Sequence, residues 1–270
     1  MSDALFDRDW TFLEVTRDGP IVTVTLNRPG ARNALNTGLM QELTEIAQLM
    51  RLRPDILAIV LTGGTKGFSA GADLGGVKAR GDAPTLLEVR EQIALGPDMC
   101  RAWEDIEAIT IVAIEGYCIG GGCALAVACD FRIMGEGGYF RLPEVPLGIN
   151  MSWRSVPRIA SLAGPSRAKR LIIFGQAADA ATCLDWGMAD EVTAKGHALE
   201  VAMAWARNVA ALPPLPVRMT KEAVNAAVNT HHHSTSVMDR DQYLLTVRSE
   251  DFQEGISAFF EKRSGVFKGR

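Results

Sequence analysis

Ile109-Thr-Ile-Val-Ala-Ile114, followed after Glu115 by Gly116-Tyr-Cys-Ile-Gly-Gly-Gly122, is a short apolar run that empties into a glycine-rich loop. Three isoleucines, a valine and a threonine in six positions predict a strand buried on both faces. The arrangement also occurs upstream, where Ile56-Leu-Ala-Ile-Val-Leu61 enters a loop from Gly63 to Gly76. Behind the second loop, Cys123-Ala-Leu-Ala-Val-Ala-Cys129 predicts a short buried helix. Two units of buried strand and glycine loop, each opening toward a helix or turn, argue for a layered α/β fold.

The flanking sequence fits that class. Ile21 to Leu26 alternates Val22, Val24 and Leu26 with Thr23 and Thr25, the period of a strand. Asn36 precedes Leu39, Met40, Leu43, Ile46, Ala47 and Met50, whose spacing predicts a capped amphipathic helix ending before Pro54. Pro84 to Ile106 reads as helical, with Gly96-Pro97 expected to interrupt it. Pro213-Pro214-Leu215-Pro216 is the best boundary, dividing residues 1–212 from a region 213–270 in which Met219–Val228 and Asp239–Lys262 read as helices. Tyr243, Leu244, Leu245, Phe252, Ile256, Phe259 and Phe260 give that tail an apolar surface that must pack on its own core or on another subunit.

Composition excludes several classes. The 270 residues are 47% hydrophobic and 22% charged, enough apolar side chain to offset the entropy of ordering the chain. With 28 basic against 32 acidic residues the net charge is −4, which gives no electrostatic reason to bind nucleic acid. Five cysteines form no C-x-x-C pair, so reduced thiols and a cytoplasmic location are expected. The start MSDALFDRDW lacks the features of a signal peptide, and Gly116–Cys129 is shorter than the ~18 apolar residues of a membrane span. No membrane partner is expected.

The glycine loops admit two readings. They are tight turns, or they present backbone N–H groups to a ligand. A helix start leaves its first N–H groups unpaired and partly positive. One such group from Phe68-Ser-Ala-Gly-Ala-Asp73 and one from Gly120-Gly121-Gly122 could meet at a single oxygen, as an enolate or tetrahedral oxyanion requires. A nucleotide fits less well, because Gly120–Leu125 lacks the last glycine of G-x-G-x-x-G and neither loop carries G-K-[ST]. Glu144, between Pro143 and Val145-Pro146 in an apolar stretch, is either an exposed loop acid or a desolvated carboxyl with its pKa raised toward neutrality. His231-His232-His233 is expected in a solvated linker rather than at a metal, and no metal is expected elsewhere. His197 falls in a predicted turn and no G-x-S-x-G is present, which leaves Ser/His/Asp catalysis without a base.

In chain order, Leu26-Asn-Arg-Pro-Gly-Ala-Arg-Asn-Ala-Leu35, Gly67-Phe-Ser-Ala-Gly-Ala-Asp-Leu74, Ile119-Gly-Gly-Gly-Cys123, Cys129-Asp130, Pro143-Glu144, and the tail from Ser249-Glu-Asp-Phe252 to Phe267-Lys-Gly-Arg270 resemble the crotonase superfamily of enoyl-CoA hydratases, isomerases and relatives. The resemblance covers nearly the whole chain. It implies a repeated ββα spiral core (1–212), a C-terminal helical region (213–270) used in trimerisation, and an acyl-CoA thioester substrate with no separate cofactor. It implies a homotrimer or a dimer of trimers. It also implies that the N–H groups of Ala72 and Gly121 hold the thioester oxygen, and that CoA lies along Arg32, Ala34, Ala70, Asp73 and Leu74.

Two departures bear on the reaction. Hydratases of this superfamily use two glutamates; Glu144 matches one, but Ala124 stands in the place of the other. A lone carboxylate can still move a proton between carbons, so a single-glutamate enoyl-CoA double-bond isomerase is expected. The alternatives are an enoyl-CoA hydratase in which Asn150 or Ser152 substitutes for the missing acid, a silent acyl-CoA-binding member, or a hydrolase of a CoA ester or β-diketone. Restoring the acid by Ala124→Glu is expected to increase hydration. The second departure is Met151-Ser152-Trp153-Arg154-Ser155, where many relatives carry glycines beside the acyl pocket. These side chains are expected either to reshape that wall or place a new polar group (Ser152, Arg154) near the acyl chain, or to meet another subunit.

Overall fold

The computed structural model describes residues 5–73 and 85–270. In chain order its strands are β1 (Leu13–Asp18), β2 (Ile21–Leu26), β3 (Ala58–Thr62), β4 (Gly67–Ser69), β5 (Ile109–Ile114), β6 (Tyr117–Ile119), β7 (Phe131–Gly135), β8 (Tyr139–Arg141), β9 (Ala178–Asp179) and β10 (Glu191–Thr193). Its helices are α1 (Thr37–Met50), α2 (Leu86–Glu104), α3 (Gly121–Ala126), α4 (Ser155–Ala163), α5 (Pro165–Phe174), α6 (Ala180–Asp185), α7 (Ala198–Ala210), α8 (Pro214–Val228), α9 (His232–Ser236), α10 (Asp239–Thr246) and α11 (Glu250–Glu261).

The strands form two mixed sheets, in the orders β1-β2-β3-β5-β7-β10 and β4-β6-β8-β9. β2, β3, β5, β7 and β10 run parallel, and β1 closes one edge antiparallel. Each apolar run feeds both of its faces. In β3, Ile59 and Leu61 join the main core while Ala58 and Val60 face the other way. In β5, Val112 and Ile114 do the same against Ile109, Ile111 and Ala113. Ala198, Ala202 and Ala206 of α7 cover that second face, their small side chains letting the helix lie close to the sheet.

The glycine segments are more ordered than the sequence suggests. Each contains a three-residue strand, β4 and β6, that pairs with the other in the second sheet. A buried strand therefore leads to a short strand in the neighbouring layer and then to a loop or helix. α3 begins at Gly121, earlier than the apolar pattern implies, because the glycine triplet itself enters the helix.

Three further expectations are corrected. Gly96-Pro97 does not interrupt its helix: α2 runs continuously through both residues, entered by a capping box between Thr85 and Glu88. Pro97 deletes one helical N–H, and Gly96 is the point where the helix meets the Trp153 indole. The histidine tract is solvated at His231 and His233, as expected, but it is helical rather than a loop. His231 ends a 3-10 turn and His232 opens α9, with His232 Nε2 3.2 Å from Ser161 Oγ and His233 Nδ1 3.1 Å from an Arg154 guanidinium nitrogen. Helix Asp239–Lys262 is two helices, α10 and α11, separated where Ser249 caps the Phe252 N–H at 3.1 Å.

Beyond Pro213 the described chain is helical, as expected, and starts at Pro214, where a missing N–H costs a helix nothing. Ion pairs tie it to the rest of the chain: Lys221 to Asp130 before β7 at 2.7 Å, Arg218 to Glu107 before β5 at 2.7 Å, and Asp241 to Arg90 of α2 at 2.8 Å. Leu245, Phe259, Phe260 and Phe267 remain exposed. Among the described residues, no helix is long and apolar enough to cross a membrane, and no cluster of His, Cys, Asp and Glu could hold a metal. All five cysteines are free and buried, and burial pushes the Cys100, Cys129 and Cys183 thiols up to about 12.

Candidate active site

The first loop is held by a buried asparagine. Asn33, at a φ of +53°, accepts from the Arg28 N–H at 3.0 Å and donates to Gly63 O and Phe68 O at 3.0 and 3.1 Å. Ser69 Oγ donates to Asn33 O at 2.7 Å and accepts from the Gly71 N–H at 3.1 Å. Further along, Ala70 donates to Arg32 O at 3.0 Å, Leu35 to Gly71 O at 2.8 Å and Asp73 to Leu35 O at 3.2 Å. Residues 28–35 and 67–73 thus form one stapled unit. Exposed Arg32 stacks on Tyr117 with its guanidinium 4.3 Å from the ring centre, and Arg28 pairs with Asp73 at 2.7 Å. Arg32, Ala34, Ala70 and Asp73 therefore lie in one unit; Leu74 lies outside the described residues.

The second loop meets the first at Gly71. A Cβ there, already disfavoured by a φ of +86°, would stand 2.7 Å from Ile119 O and 3.4 Å from the Gly121 nitrogen. Standard bond lengths then keep the Ala72 and Gly121 amide nitrogens within about 7 Å of each other. Neither N–H has a hydrogen-bond acceptor among the described residues. Gly121 is the first residue of α3, where the unpaired N–H and the helix dipole both favour negative charge.

Glu144 closes the arrangement. It heads the 3-10 turn Val145–Leu147, and its carbonyl accepts from Leu147 and Ile149, both at 3.0 Å. Its side chain turns inward: Oε1 would lie 2.5 Å from a Cβ on Gly120, so the carboxyl rests against the glycine triplet. Oε2 is shielded from solvent and has no hydrogen-bond partner. Burial pushes the carboxyl up to about 7, where it can take and return protons near neutrality. Tyr243 of α10 stands close enough for the Glu144 charge, together with burial, to push its phenol upward. A cleft of about 710 Å³ between α8 and the start of β7 at Phe131 includes none of Ala72, Gly121 and Glu144.

The sequence model of the enoyl-CoA hydratase/isomerase family matches residues 16–270. The chain belongs to that family. Among relatives of this enoyl-CoA hydratase/isomerase member is the 2,3-dehydroadipyl-CoA hydratase of Escherichia coli, 33% identical over 96% of this chain and 99% of its own. Another is the short-chain-enoyl-CoA hydratase of Clostridium acetobutylicum, 31% identical over 92% and 94%. The fold is that of the carnitinyl-CoA hydratase from Mycobacterium avium, with a TM-score of 0.84 and 30% identity over 96% of this chain and 99% of that one. It is the crotonase fold, and the member is an enzyme of acyl-CoA metabolism.

Some contacts in this enoyl-CoA hydratase/isomerase member escape sequence reading. Tyr243 comes from the tail and reaches Glu144 only through tertiary packing. Asn33 lies in the Leu26–Leu35 stretch, where asparagine's tolerance of the left-handed region is a sequence signal for a turn. Asn150, considered as a stand-in for the missing acid, is engaged elsewhere: its Oδ1 accepts from Thr246 Oγ1 at 3.1 Å. Ala124 is fully buried, so an acid placed there would meet packed side chains rather than an open site. Arg154 reaches His233, away from the carboxyl of Glu144, while Trp153 turns its indole onto Gly121.

Proposed function

We propose that this family member is a single-glutamate enoyl-CoA double-bond isomerase. The Ala72 and Gly121 N–H groups hold the thioester oxygen, and CoA runs along Arg32, Ala34, Ala70, Asp73 and Leu74. Glu144, as carboxylate, takes a proton from C2 of a 3-enoyl thioester. The C–H electrons move into a dienolate whose negative oxygen lies between the two N–H donors. Glu144 then returns the proton to C4, leaving the double bond at C2–C3. Each oxyanion donor is worth about 10²–10³ in rate, roughly 2.7–4 kcal/mol.

The observation that carries this reading is the Glu144 carboxyl set against Gly120, its Oε2 buried without a hydrogen-bond partner, with a buried methyl rather than a second acid at position 124. A second reading, hydration of a 2-enoyl-CoA, draws on the names of the relatives. Assays of 3-enoyl-CoA isomerisation and 2-enoyl-CoA hydration with one enzyme preparation separate the two. Isomerisation that is faster than hydration and lost in Glu144→Gln supports the first; rapid hydration lost in the same variant overturns it.

The division at residue 213 and assembly through the tail belong to the same proposal. Exposed Leu245, Phe259 and Phe260 on otherwise packed helices suit burial against neighbouring copies in a trimer or a pair of trimers. Five unpaired, buried thiols fit a cytoplasmic protein.

A further inference from the structure

We propose that Trp153 determines the reaction outcome by walling water out of the carbon end of the site; this rests on the reading of Gly121 as an oxyanion donor. The indole is wedged between two helices. A Cβ on Gly96 of α2 would overlap its five-membered ring, and a Cβ on Gly121 of α3 would overlap its six-membered ring. Only glycine at both positions admits the ring. An oxygen held by the Gly121 N–H therefore has its neighbouring carbons beside an aromatic surface that neither binds nor activates water.

The backbone that aims this ring is strained. Trp153 and Arg154 both have a φ of +57°, the left-handed region that costs a residue with a Cβ roughly 1–2 kcal/mol. Such a pair persists only where its surroundings impose it, and here they do. The Arg154 N–H donates to Asp239 Oδ2 at 2.8 Å, Arg158 donates to Arg154 O at 3.1 Å, and Ser155 Oγ donates to Ser152 O at 2.6 Å. Arg158 is itself buried and paired with Glu104 at 2.8 Å. A buried network thus holds the turn in an unfavourable conformation whose effect is to lay an indole on Gly121.

Two further observations support such a wall. Ala124, one helical turn beyond Gly121, has no exposed surface, and Glu144 Oε2 has neither solvent nor a partner. A wall on this side leaves a proton on Glu144 better placed to return to the dienolate than to exchange with water, and gives a water beside C3 an aromatic face on which nothing holds it.

Trp153→Gly tests this, because glycine relieves the left-handed strain while opening the wall. Wild-type enzyme run in D₂O should isomerise a 3-enoyl-CoA with little deuterium at C4 of the product. Trp153→Gly should raise deuterium incorporation and increase the hydration-to-isomerisation ratio about tenfold or more. Gly96→Ala, which pushes on the ring from α2 and leaves Trp153 in the sequence, should move both readouts the same way and serves if the first variant does not fold. A merely structural role would lower both rates equally; an unchanged ratio with unchanged deuterium content in the folded variants overturns the wall. Fast hydration by the wild type, or no turnover of either thioester, overturns the isomerase reading beneath it.

Discussion

Replacing Glu144 by glutamine tests catalysis and stability at once, with opposite signs. The carboxyl titrates at about 7 rather than 4.5 because it is buried without a partner. In the unfolded chain it ionises near 4.5, so between those values the folded state binds more protons. Stability is therefore fully present below about 4.5 and is lost as the pH rises through about 7. A gap of about 2.5 on the pH scale, at about 1.4 kcal/mol each, leaves the ionised folded protein about 3.5 kcal/mol less stable than the protonated one, most of it lost between pH 5 and pH 8. Glutamine cannot ionise. Urea unfolding of wild type and Glu144→Gln at pH 5 and pH 8 should show the variant gaining about 3 kcal/mol relative to wild type at the higher pH. The same variant should lose roughly 10²–10⁴ in kcat/KM, the usual worth of a general acid–base group. For the wild type, kcat/KM should rise about tenfold per pH unit below about 7 and level above it. Equal pH dependence of stability in both proteins would place the carboxyl in water, and a flat rate profile through neutrality would remove it as the base.

Gly120→Ala puts a Cβ 2.5 Å from Glu144 Oε1 at a φ of +51°; turnover should fall about 10²-fold or more, with far-ultraviolet circular dichroism unchanged. Asn33→Ala leaves Gly63 O, Phe68 O and the Arg28 N–H without their partner, which should cost about 2–4 kcal/mol in chemical denaturation and raise KM for acyl-CoA. Gly148→Ala, at a φ of +81° and with its Cβ 2.6 Å from Asp251 O, should loosen α11 from the Glu144 turn, seen as earlier proteolysis of the tail and a loss of about 2 kcal/mol or more. Ala124→Glu alone should not gain hydration, contrary to the expectation from sequence, because the side chain would be buried unpaired. It should instead lose at least about 2 kcal/mol of stability in the same denaturation assay.

Strands β2 and β5 and helix α1 were legible because their signals are local. Val22, Val24 and Leu26 alternate, Ile109–Ile114 has no polar face, and Asn36 caps Leu39 at 2.9 Å where the spacing predicted a helix start. The two glycine loops were legible for a chemical reason: a site made from main-chain N–H groups needs residues that let the backbone approach, and glycine is visible in sequence. What failed was decided by contacts between distant segments. Gly96-Pro97 looks like a break, yet the glycine accommodates an indole and the packing of α2 on α1 and α3 holds the helix through the proline. The histidine tract looks like a loop, yet it is helical, with Ser161 and Arg154 against His232 and His233 and Asn229 beside it donating to Glu104 at 3.1 Å, while His231 and His233 stay exposed. Glu144 was visible as an acid among apolar residues, but its inward orientation required Gly120 as the surface on which it rests.

The same distinction separates what relatives convey from what they do not. Oxyanion donors that come from the main chain need only the fold and glycines at two turns, so a chain one-third identical to enoyl-CoA hydratases can inherit thioester binding intact. The outcome at C2, C3 and C4 depends instead on which side chains reach those carbons. A reaction that adds water needs a place for water to sit and a group to hold it. A reaction that moves a proton between carbons is impaired by that same water, because the proton exchanges before it returns. In the proposed reading, a Glu144 Oε2 without a hydrogen-bond partner, a packed methyl at 124 and an indole on Gly121 all act against the first requirement and for the second. Their agreement carries more weight than any one alone, since Trp153 fits only because Gly96 and Gly121 leave room for it.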